Sequence, residues 1–223
     1  LSYPVGRLGS LYFPGKIADG CIIVGVYWLA FSVYALLSLG MIDFLRMDNY
    51  VMILPKMIDI HPEAFGWVSI IFAVCVTVYG TINARNLQVR RYKIKIKKVA
   101  GERKALNIAV LADLHLGLIV DSKQLSKALE KVQALQPDLI LLPGDIIDES
   151  IGAFVESNMP SQLRELKAPH GVYAILGNHE YIWGHSEKAQ ACLKEIGIHM
   201  LKDDYVKIAD SFYLAGRDDA VSE

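Results

Sequence analysis

Two long uncharged stretches constrain the fold of this 223-residue chain more than any other feature. The first covers residues 20–42 and the second covers residues 64–84. Each has the roughly 20 apolar residues that cross about 30 Å of hydrocarbon as a helix. Buried helices of soluble proteins seldom lack charge on every face. We therefore predict two transmembrane helices, at about 20–42 and 64–84, in preference to two core helices.

The start of the chain is typical of an internal position in a longer protein. It begins at Leu1, not Met, and Tyr3-Pro4-Val5-Gly6-Arg7 is typical of a loop. The first uncharged stretch is too long for the apolar part of a signal peptide and lacks a small-residue cleavage site. We expect further sequence upstream of Leu1.

Charge is distributed unevenly along a chain whose net charge is only −1. Basic residues follow the second stretch directly: Arg85, Arg90, Arg91, Lys93, Lys95, Lys97 and Lys98. By the positive-inside rule, this cluster predicts that everything after the second span lies in the cytoplasm. The connection at 43–63 carries Arg46 and Lys56 among a larger number of acids, which suits the outer side. Alternatively, the lysines at 93, 95 and 97 are the solvent face of a strand. A net charge close to zero gives no reason to expect a nucleic-acid partner.

The composition changes near residue 86, which predicts a membrane region at 1–86 and a soluble α/β domain at 87–223. Residues 92–97 alternate between apolar and basic side chains, as a half-buried strand does. Residues 101–104 follow with a turn pattern. Residues 106–111 are mostly apolar, which predicts a strand buried on both faces.

The remainder of the second region alternates between helical and strand patterns. Asp121-Ser122 is a helix N-cap signal, and Leu125, Ala128, Leu129, Val132 and Leu135 follow at helical spacing. Further elements are predicted as strands at 139–142, 172–176, 206–208 and 212–215 and as helices at 160–167 and 186–196. A strand, a helix and a second strand in this order predict parallel pairing.

Three short motifs stand where predicted strands end: Asp113-Leu114-His115, Gly144-Asp145 and Gly177-Asn178-His179-Glu180. Because the carboxyl ends of parallel strands meet at one edge of a sheet, these motifs are expected to share a site. Their carboxylates, amide oxygen and imidazoles are a ligand set for two divalent metal ions. Mixed oxygen and nitrogen ligands favour Mn, Fe, Zn or Co over calcium, which prefers oxygen alone.

Such a pair of metal ions is suited to phosphate-ester hydrolysis. Two metals about 3.5–4 Å apart lower the pKa of a shared water and clamp an in-line displacement at phosphorus. His179 is next to a candidate ligand and is suited to protonating the leaving group. Each motif alone is often only a turn, and it is their conjunction in order that favours a metal site. Asp148 is interpreted as either a supporting residue or a solvent-facing one, and His170 as a surface residue. His185 is interpreted as a surface residue in preference to one that lines the substrate mouth, and His199, in a β-prone run, is disfavoured as a ligand. The three cysteines, without a C-x-x-C pair, predict neither a disulfide framework nor a zinc knuckle.

The three motifs resemble the first three motif blocks of the calcineurin-like metallophosphoesterases, over roughly residues 106–219. Residues 214–219 also resemble a segment of the membrane-associated bacterial branch. That branch includes enzymes that hydrolyse UDP-2,3-diacylglucosamine and less defined phosphodiesterases. The resemblance implies an α/β fold, with the N-terminal transmembrane helices followed by a partial β-sandwich flanked by helices.

The resemblance also implies roles for individual residues. Asp113 and His115 would hold the first metal, Asp145 would bridge, Asn178 would hold the second metal, and His179 would assist the leaving group. The family carries a further His and a Gly-His-x-His block after the part seen here, and no histidine follows His199. We therefore expect a fragment of a longer enzyme that, as given, binds metal weakly and shows little or no turnover.

Three functional hypotheses remain open on the sequence. The first is a membrane-anchored, two-metal phosphoesterase that acts on a lipid-linked or nucleotide-containing ester, with membrane lipid as a partner. The second is a non-catalytic membrane protein whose phosphoesterase-like domain binds a phosphorylated ligand or a partner. The third is a mononuclear metal hydrolase acting on another bond.

Overall fold

A computed structural model describes residues 2–12, 15–47, 61–98 and 104–222. The packing divides the chain into two compact units, Leu1–Leu87 and Gln88–Glu223. Lys56, which entered the charge count of the connection, lies outside the described residues, as do residues 101–103 of the turn predicted at 101–104.

The described part of the first unit is helical, with α1 at Ser2–Tyr12, α2 at Lys16–Met47 and α3 at Pro62–Arg85. The apolar parts of α2 and α3 have mean hydropathies of 2.1 and 1.9, and only 11% of each is buried. At 1.5 Å per residue, a 24-residue helix such as α3 is about 36 Å long, which exceeds the ~30 Å hydrocarbon core. Both helices are therefore long and apolar enough to cross a membrane, and they contain the predicted stretches.

The loop expected at Tyr3–Arg7 was wrong, because these residues belong to helix α1. Pro4 lies in the first turn of that helix, where the missing N–H costs no intrahelical hydrogen bond. Helix α1 packs against α2, in which Ala18 and Ile22 are buried. Packing against a neighbouring helix thus stabilises a segment whose proline and glycine favour a loop.

The second unit is built on a four-stranded parallel sheet in the order β1-β2-β3-β4. These strands are β1 at Ile108–Val110, β2 at Leu139–Pro143, β3 at Val172–Ile175 and β4 at His199–Met200. Strands β5, Asp204–Ile208, and β6, Phe212–Gly216, form an antiparallel pair. The predicted parallel pairing is confirmed, since Ala109 lies opposite Ile140 in β2 and Leu141 opposite Tyr173 in β3.

Within residues 104–222, five helices accompany these strands: α4 at Ser122–Ala134, α5 at Ile151–Glu156, α6 at Met159–Leu163, α7 at Asn178–Ile182 and α8 at Ser186–Glu195. A 3-10 turn follows at Ala220–Ser222. Helix α4 begins as predicted, because the Asp121 carboxylate accepts a hydrogen bond of 3.0 Å from the Gln124 N–H. Leu125, Leu129 and Val132 face the core from α4. The α/β class with a helix-flanked sheet is confirmed.

One face of the sheet carries the core. Ala109, Ile140, Leu142, Val172 and Ala174 are buried there with apolar residues of the helices. On the other face of β1, Ile108 and Val110 are 42% and 59% exposed. The prediction that this strand is buried on both faces was therefore wrong. Among the described residues, the β5–β6 pair approaches the sheet at β3, where a side chain at Gly216 would meet Ile175 Cγ2 at 2.7 Å.

The predicted strand at 92–97 was also wrong. The structure assigns neither helix nor strand to residues 87–97. Tyr92, Ile94 and Ile96 are 79%, 81% and 76% exposed. An alternating pattern becomes a strand only where a neighbouring edge accepts its hydrogen bonds. No such pairing involves these residues within the described part of the chain.

Candidate metal centre

The first two motif loops are joined by backbone hydrogen bonds that continue beyond the strands. The N–H of His115 donates to the carbonyl of Asp145 at 2.9 Å, and the N–H of Leu116 donates to the carbonyl of Ile146 at 2.9 Å. The N–H of Asp148 then donates to the carbonyl of Leu116 at 3.0 Å. The loop after β1 is thus fixed against the loop after β2.

Three of the predicted site residues have left-handed backbone conformations. The φ angles are 53° at Asp113, 45° at His115 and 50° at Asp145. Such conformations cost on the order of 1–3 kcal/mol each for residues other than glycine, and they cluster at active sites where the surroundings impose them. Three of the eight described non-glycine residues with positive φ lie in these two neighbouring loops.

The second and third motif loops are in backbone contact through two glycines. A Cβ at Gly144 would lie 2.8 Å from Gly177 Cα, and Gly144 also has a φ of 87°. A Cβ at Gly177 would lie 2.5 Å from the Asp145 nitrogen. Both positions therefore require glycine for Asp145 to sit where it does.

Glu180 connects the same two loops from the inside of the domain. Its side chain is fully buried, and Oε1 accepts hydrogen bonds from the N–H groups of Ile146 at 2.7 Å and Ile147 at 2.9 Å. Oε2 accepts from the Gly177 N–H at 2.9 Å. Hydrogen bonds to a charged group are the stronger kind, worth about 1.5–3 kcal/mol each. The carboxylate therefore holds the Gly-Asp loop and the Gly-Asn-His loop as one piece.

His115, Asp145 and His179 converge at this edge, and their potential ligand atoms all lie within 4.8 Å of one another. The Nε2 atom of His115 is 4.0 Å from Oδ2 of Asp145. The rings of His115 and His179 meet edge to face, with their centroids 4.4 Å apart. Asp145 is further positioned by the His179 N–H, which donates to Oδ1 at 3.0 Å. All three side chains are half-buried, so a metal ion can reach them from solvent.

Asp148 lies against both imidazoles. Its Oδ1 atom is 3.4 Å from Nδ1 of His179 and 3.8 Å from Nδ1 of His115. The Nδ1 atom of His179 is enclosed and makes no hydrogen bond of acceptable geometry within the described structure. A carboxylate beside an imidazole restricts the orientation of the ring. The structure thus favours the supporting role for Asp148 over the solvent-facing one.

The remaining two predicted ligands lie outside this cluster of three. Asp113 is exposed and does not belong to the group whose potential ligand atoms all lie within 4.8 Å of one another. Asn178 is half-buried and begins α7, directly before His179. The ligand and proton-transfer roles of these residues stay predictions.

The surface position expected for His185 was wrong. The residue is only 5% exposed, and its Nε2 atom is enclosed without a hydrogen-bond partner among the described residues. Burial lowers the pKa of His185, while the charges of Glu180 and Asp148 oppose that shift. Its sequence neighbours Trp183 and Gly184 gave no sign of burial. By contrast, His199 is exposed and stacks on Tyr173 with a centroid separation of 5.0 Å.

A polar cluster anchors the chain after β6 to α7. The hydroxyl of Tyr181 donates to Oδ1 of Asp218, and Nζ of Lys202 is 2.9 Å from Oδ2 of the same carboxylate. Burial, followed by the hydrogen bond to Asp218, raises the pKa of Tyr181. Sequence reasoning identified the 214–219 segment only by resemblance. Its structural role is to fix the chain after β6 beside the helix that carries His179.

A helix-flanked parallel sheet with a histidine–carboxylate cluster at its carboxyl edge defines a metal-binding α/β domain. Residues 106–220 match the family model of the calcineurin-like phosphoesterases, and the chain belongs to that family. Members of this family bind divalent metals and hydrolyse phosphoesters.

Relatives from animals and bacteria support this assignment. A transmembrane protein with metallophosphoesterase domain from Danio rerio is 28% identical over 68% of this chain and 36% of its own length. A metallophosphoesterase from Aquifex aeolicus is 27% identical over 66% of this chain and 55% of its own. The metallophosphoesterase YkoQ of Bacillus subtilis is 32% identical over 56% of this chain and 47% of its own. The chain thus spans about a third to a half of these relatives.

No solved structure shows a significant match to the chain. Because animal and bacterial proteins are both similar to it, the specific bacterial branch stays a prediction. The apolar helices and a relative named as a transmembrane protein together indicate membrane association.

Proposed function

We propose that this protein is a membrane-anchored phosphoesterase that hydrolyses a phosphomonoester or phosphodiester with the help of two divalent metal ions. The observation that carries the proposal is the convergence of His115, Asp145 and His179 at the carboxyl edge of the sheet. Imidazole and carboxylate donors together suit Mn, Fe, Zn or Co. The Nδ1 atom of His179 is enclosed, and Gly144 packs closely against Gly177. Both features support an arrangement of side chains that the surrounding protein holds in place.

The division of ligands between the two ions follows the family resemblance. Asp113 and His115 would hold one ion, the Asn178 amide oxygen would hold the second, and Asp145 would serve both. When bound, the ions lower the pKa of a water molecule and polarise the phosphate. The protein's part is to keep Asp145 in place, which the His179 N–H does at 3.0 Å from Oδ1.

His179 donates the proton that the leaving group requires. Because the Asp148 carboxylate is 3.4 Å from Nδ1, Nε2 is the ring nitrogen left to face the leaving group. The same carboxylate balances the positive charge of the imidazolium and fixes the orientation of the ring. A general acid of this kind typically contributes about 10²–10⁴-fold to the rate.

The membrane part gives the enzyme access to lipid-linked or nucleotide-containing esters at the bilayer surface. Helices α2 and α3 support two membrane crossings, and the basic residues after α3 favour a catalytic domain in the cytoplasm. Anchoring raises the local concentration of a lipid substrate, which explains why a phosphoesterase domain follows two apolar helices.

The test is the substitution Asp145→Asn in the full-length protein. Substitution of a residue that only supports a metal ligand typically lowers activity by roughly 10–100-fold. We expect the hydrolysis of p-nitrophenyl phosphate and bis-p-nitrophenyl phosphate to fall by more than this, because Asp145 is a proposed ligand. Metal content, measured by mass spectrometry, should fall with it. Asp210→Asn is the matched control, because that side chain is 94% exposed at the β5–β6 turn.

The outcomes separate the hypotheses. Unchanged turnover in a folded Asp145→Asn protein would contradict the mechanism. A metal-to-protein ratio near one in an active protein would favour the mononuclear hydrolase. Binding of phosphorylated ligands without any turnover in the full-length protein would favour the non-catalytic alternative.

A further inference from the structure

Residues 88–98, called here the basic segment, form an exposed cationic surface at the start of the second unit. The segment contains six cations and no acid: Arg90, Arg91, Lys93, Lys95, Lys97 and Lys98. Every residue in it is exposed. Within the described residues, none of the six forms an ion pair. The rest of the chain is acidic on balance, since the whole carries a net charge of −1.

The sequence places this segment directly after an apolar helix. Helix α3 ends at Arg85, so Arg90 follows five residues later. A chain extends by at most about 3.6 Å per residue, which keeps Arg90 within about 18 Å of that helix end. Where α3 crosses a bilayer, the first cations of the segment are therefore held near the lipid head groups.

The spacing of the lysines suits a surface that carries many negative charges. Lys93, Lys95 and Lys97 alternate with Tyr92, Ile94 and Ile96. In an extended chain, alternate side chains lie on one side at intervals of about 6.6 Å. Such a row matches an array of separate anionic groups better than one small anion. Tyrosine beside basic residues is also typical of the membrane–water interface.

We propose that the basic segment binds the anionic lipid head groups of the bilayer into which α3 inserts. Anionic leaflets attract basic segments next to a transmembrane helix. The contact keeps the phosphoesterase domain close to the membrane surface. This proposal rests on the membrane anchoring proposed above and not on the hydrolytic chemistry. Nucleic acid is the less favoured polyanion, because the segment adjoins an apolar helix of 24 residues.

The experiment compares the full chain in nanodiscs of phosphatidylcholine alone with nanodiscs that also contain phosphatidylserine. Lysines are acetylated briefly, and the extent at each site is read by peptide mass spectrometry. We expect Lys93, Lys95 and Lys97 to react about fivefold more slowly with the anionic lipid. Exposed Lys123 and Lys127 of α4 should be unaffected. High salt should remove the difference, because it screens exposed charges.

Two triple variants sharpen the result. After replacement of Lys93, Lys95 and Lys97 by Gln, the reactivity of Lys98 should no longer depend on the lipid. After the matched replacement of Lys123, Lys127 and Lys131 by Gln, the protection of the basic segment should persist.

Equal lysine reactivity in both nanodiscs would overturn the proposal. If backbone amides 88–98 were then equally protected from hydrogen exchange in both, the segment would be a strand with its lysines in solvent. Protection by an RNA oligonucleotide but not by phosphatidylserine would overturn it in favour of nucleic acid. Failure of the chain to enter nanodiscs would refute the anchoring itself, and activity has no part in any readout.

Discussion

Gly144 and Gly177 touch through their backbones, so that a Cβ at Gly144 would lie 2.8 Å from the Cα of Gly177. The two residues begin the second and third motif loops. Their contact sets the separation between Asp145 and His179. The geometry of the proposed metal centre therefore depends on the absence of side chains at two positions that bind nothing themselves.

Gly177→Ala should damage the metal centre without unfolding the domain. The new methyl group would meet the Asp145 nitrogen at 2.5 Å, and the loop must shift to relieve the clash. We expect a destabilisation of about 1–3 kcal/mol, as for other overpacked sites. Metal affinity, measured by calorimetry, should fall about 10–100-fold. Gly152→Ala is the control, because its nearest neighbour, Ser150 Oγ, is 3.6 Å away. Equal metal affinity in both variants would contradict the dependence on this contact.

Glu180→Ala should be one of the most destabilising single changes in the second unit. It leaves the N–H groups of Ile146, Ile147 and Gly177 without their acceptor. Each buried donor without a partner costs about 1–3 kcal/mol, and the three costs are not independent. We expect a loss of about 3–5 kcal/mol, measured by chemical denaturation. Glu165→Ala, at an exposed position, should have little effect. A stability equal to that of the unmodified protein would refute the connecting role.

Asp148→Asn should reduce turnover while leaving the fold intact. The amide keeps the shape of the carboxylate but removes the negative charge 3.4 Å from Nδ1 of His179. We expect kcat to fall about 10–100-fold with little change in the melting temperature. The control Glu149→Gln removes a charge from the neighbouring residue. If both variants reduced kcat equally, the loss of turnover would reflect local charge alone, not the contact with His179.

Acidification should weaken the second unit through His185. Burial lowers the pKa of this residue in the folded state, while the unfolded residue titrates near 6.5. As the pH falls below about 6.5, the unfolded chain takes up a proton that the folded chain resists, so the free energy of unfolding decreases. The slope from this one group is at most about 1.4 kcal/mol per pH unit.

His185→Asn should remove that part of the pH dependence, because asparagine does not titrate. The comparison is urea unfolding of each full chain in detergent at several pH values between about 7.5 and 5.5. His199→Asn serves as the control, since His199 is exposed. Parallel pH profiles for the unmodified protein and His185→Asn would exclude His185 as the source.

Local signals in the sequence predicted much of the soluble domain. The N-cap at Asp121 and the apolar spacing that follows it locate α4, because both act within a few residues of the helix start. The convergence of the three motifs followed from parallel strands, whose carboxyl ends share one edge. The prediction of a strand at 92–97 was wrong because alternating apolar and basic side chains do not reveal whether a partner strand is present.

The internal support of the site was beyond sequence reasoning. Glu180 accepts hydrogen bonds from Ile146 and Ile147, which lie more than 30 residues earlier in the chain. His185 is buried by tertiary packing that no local sequence pattern predicts. Asp148 was considered as a supporting residue, but its position beside two imidazoles needed the folded loops to be seen.

The buried carboxylate of Glu180 has a consequence for how the site selects its ion. Because Glu180 hydrogen-bonds to both the Gly-Asp and the Gly-Asn-His loops, the backbones that carry Asp145 and Asn178 have little freedom to adapt to an ion. A rigid ligand set discriminates by ionic radius and coordination geometry, whereas a pliable one adapts to whichever cation is abundant. Exchange of one transition metal for another at this edge of the sheet should therefore alter occupancy strongly while leaving the conformation of the domain unchanged.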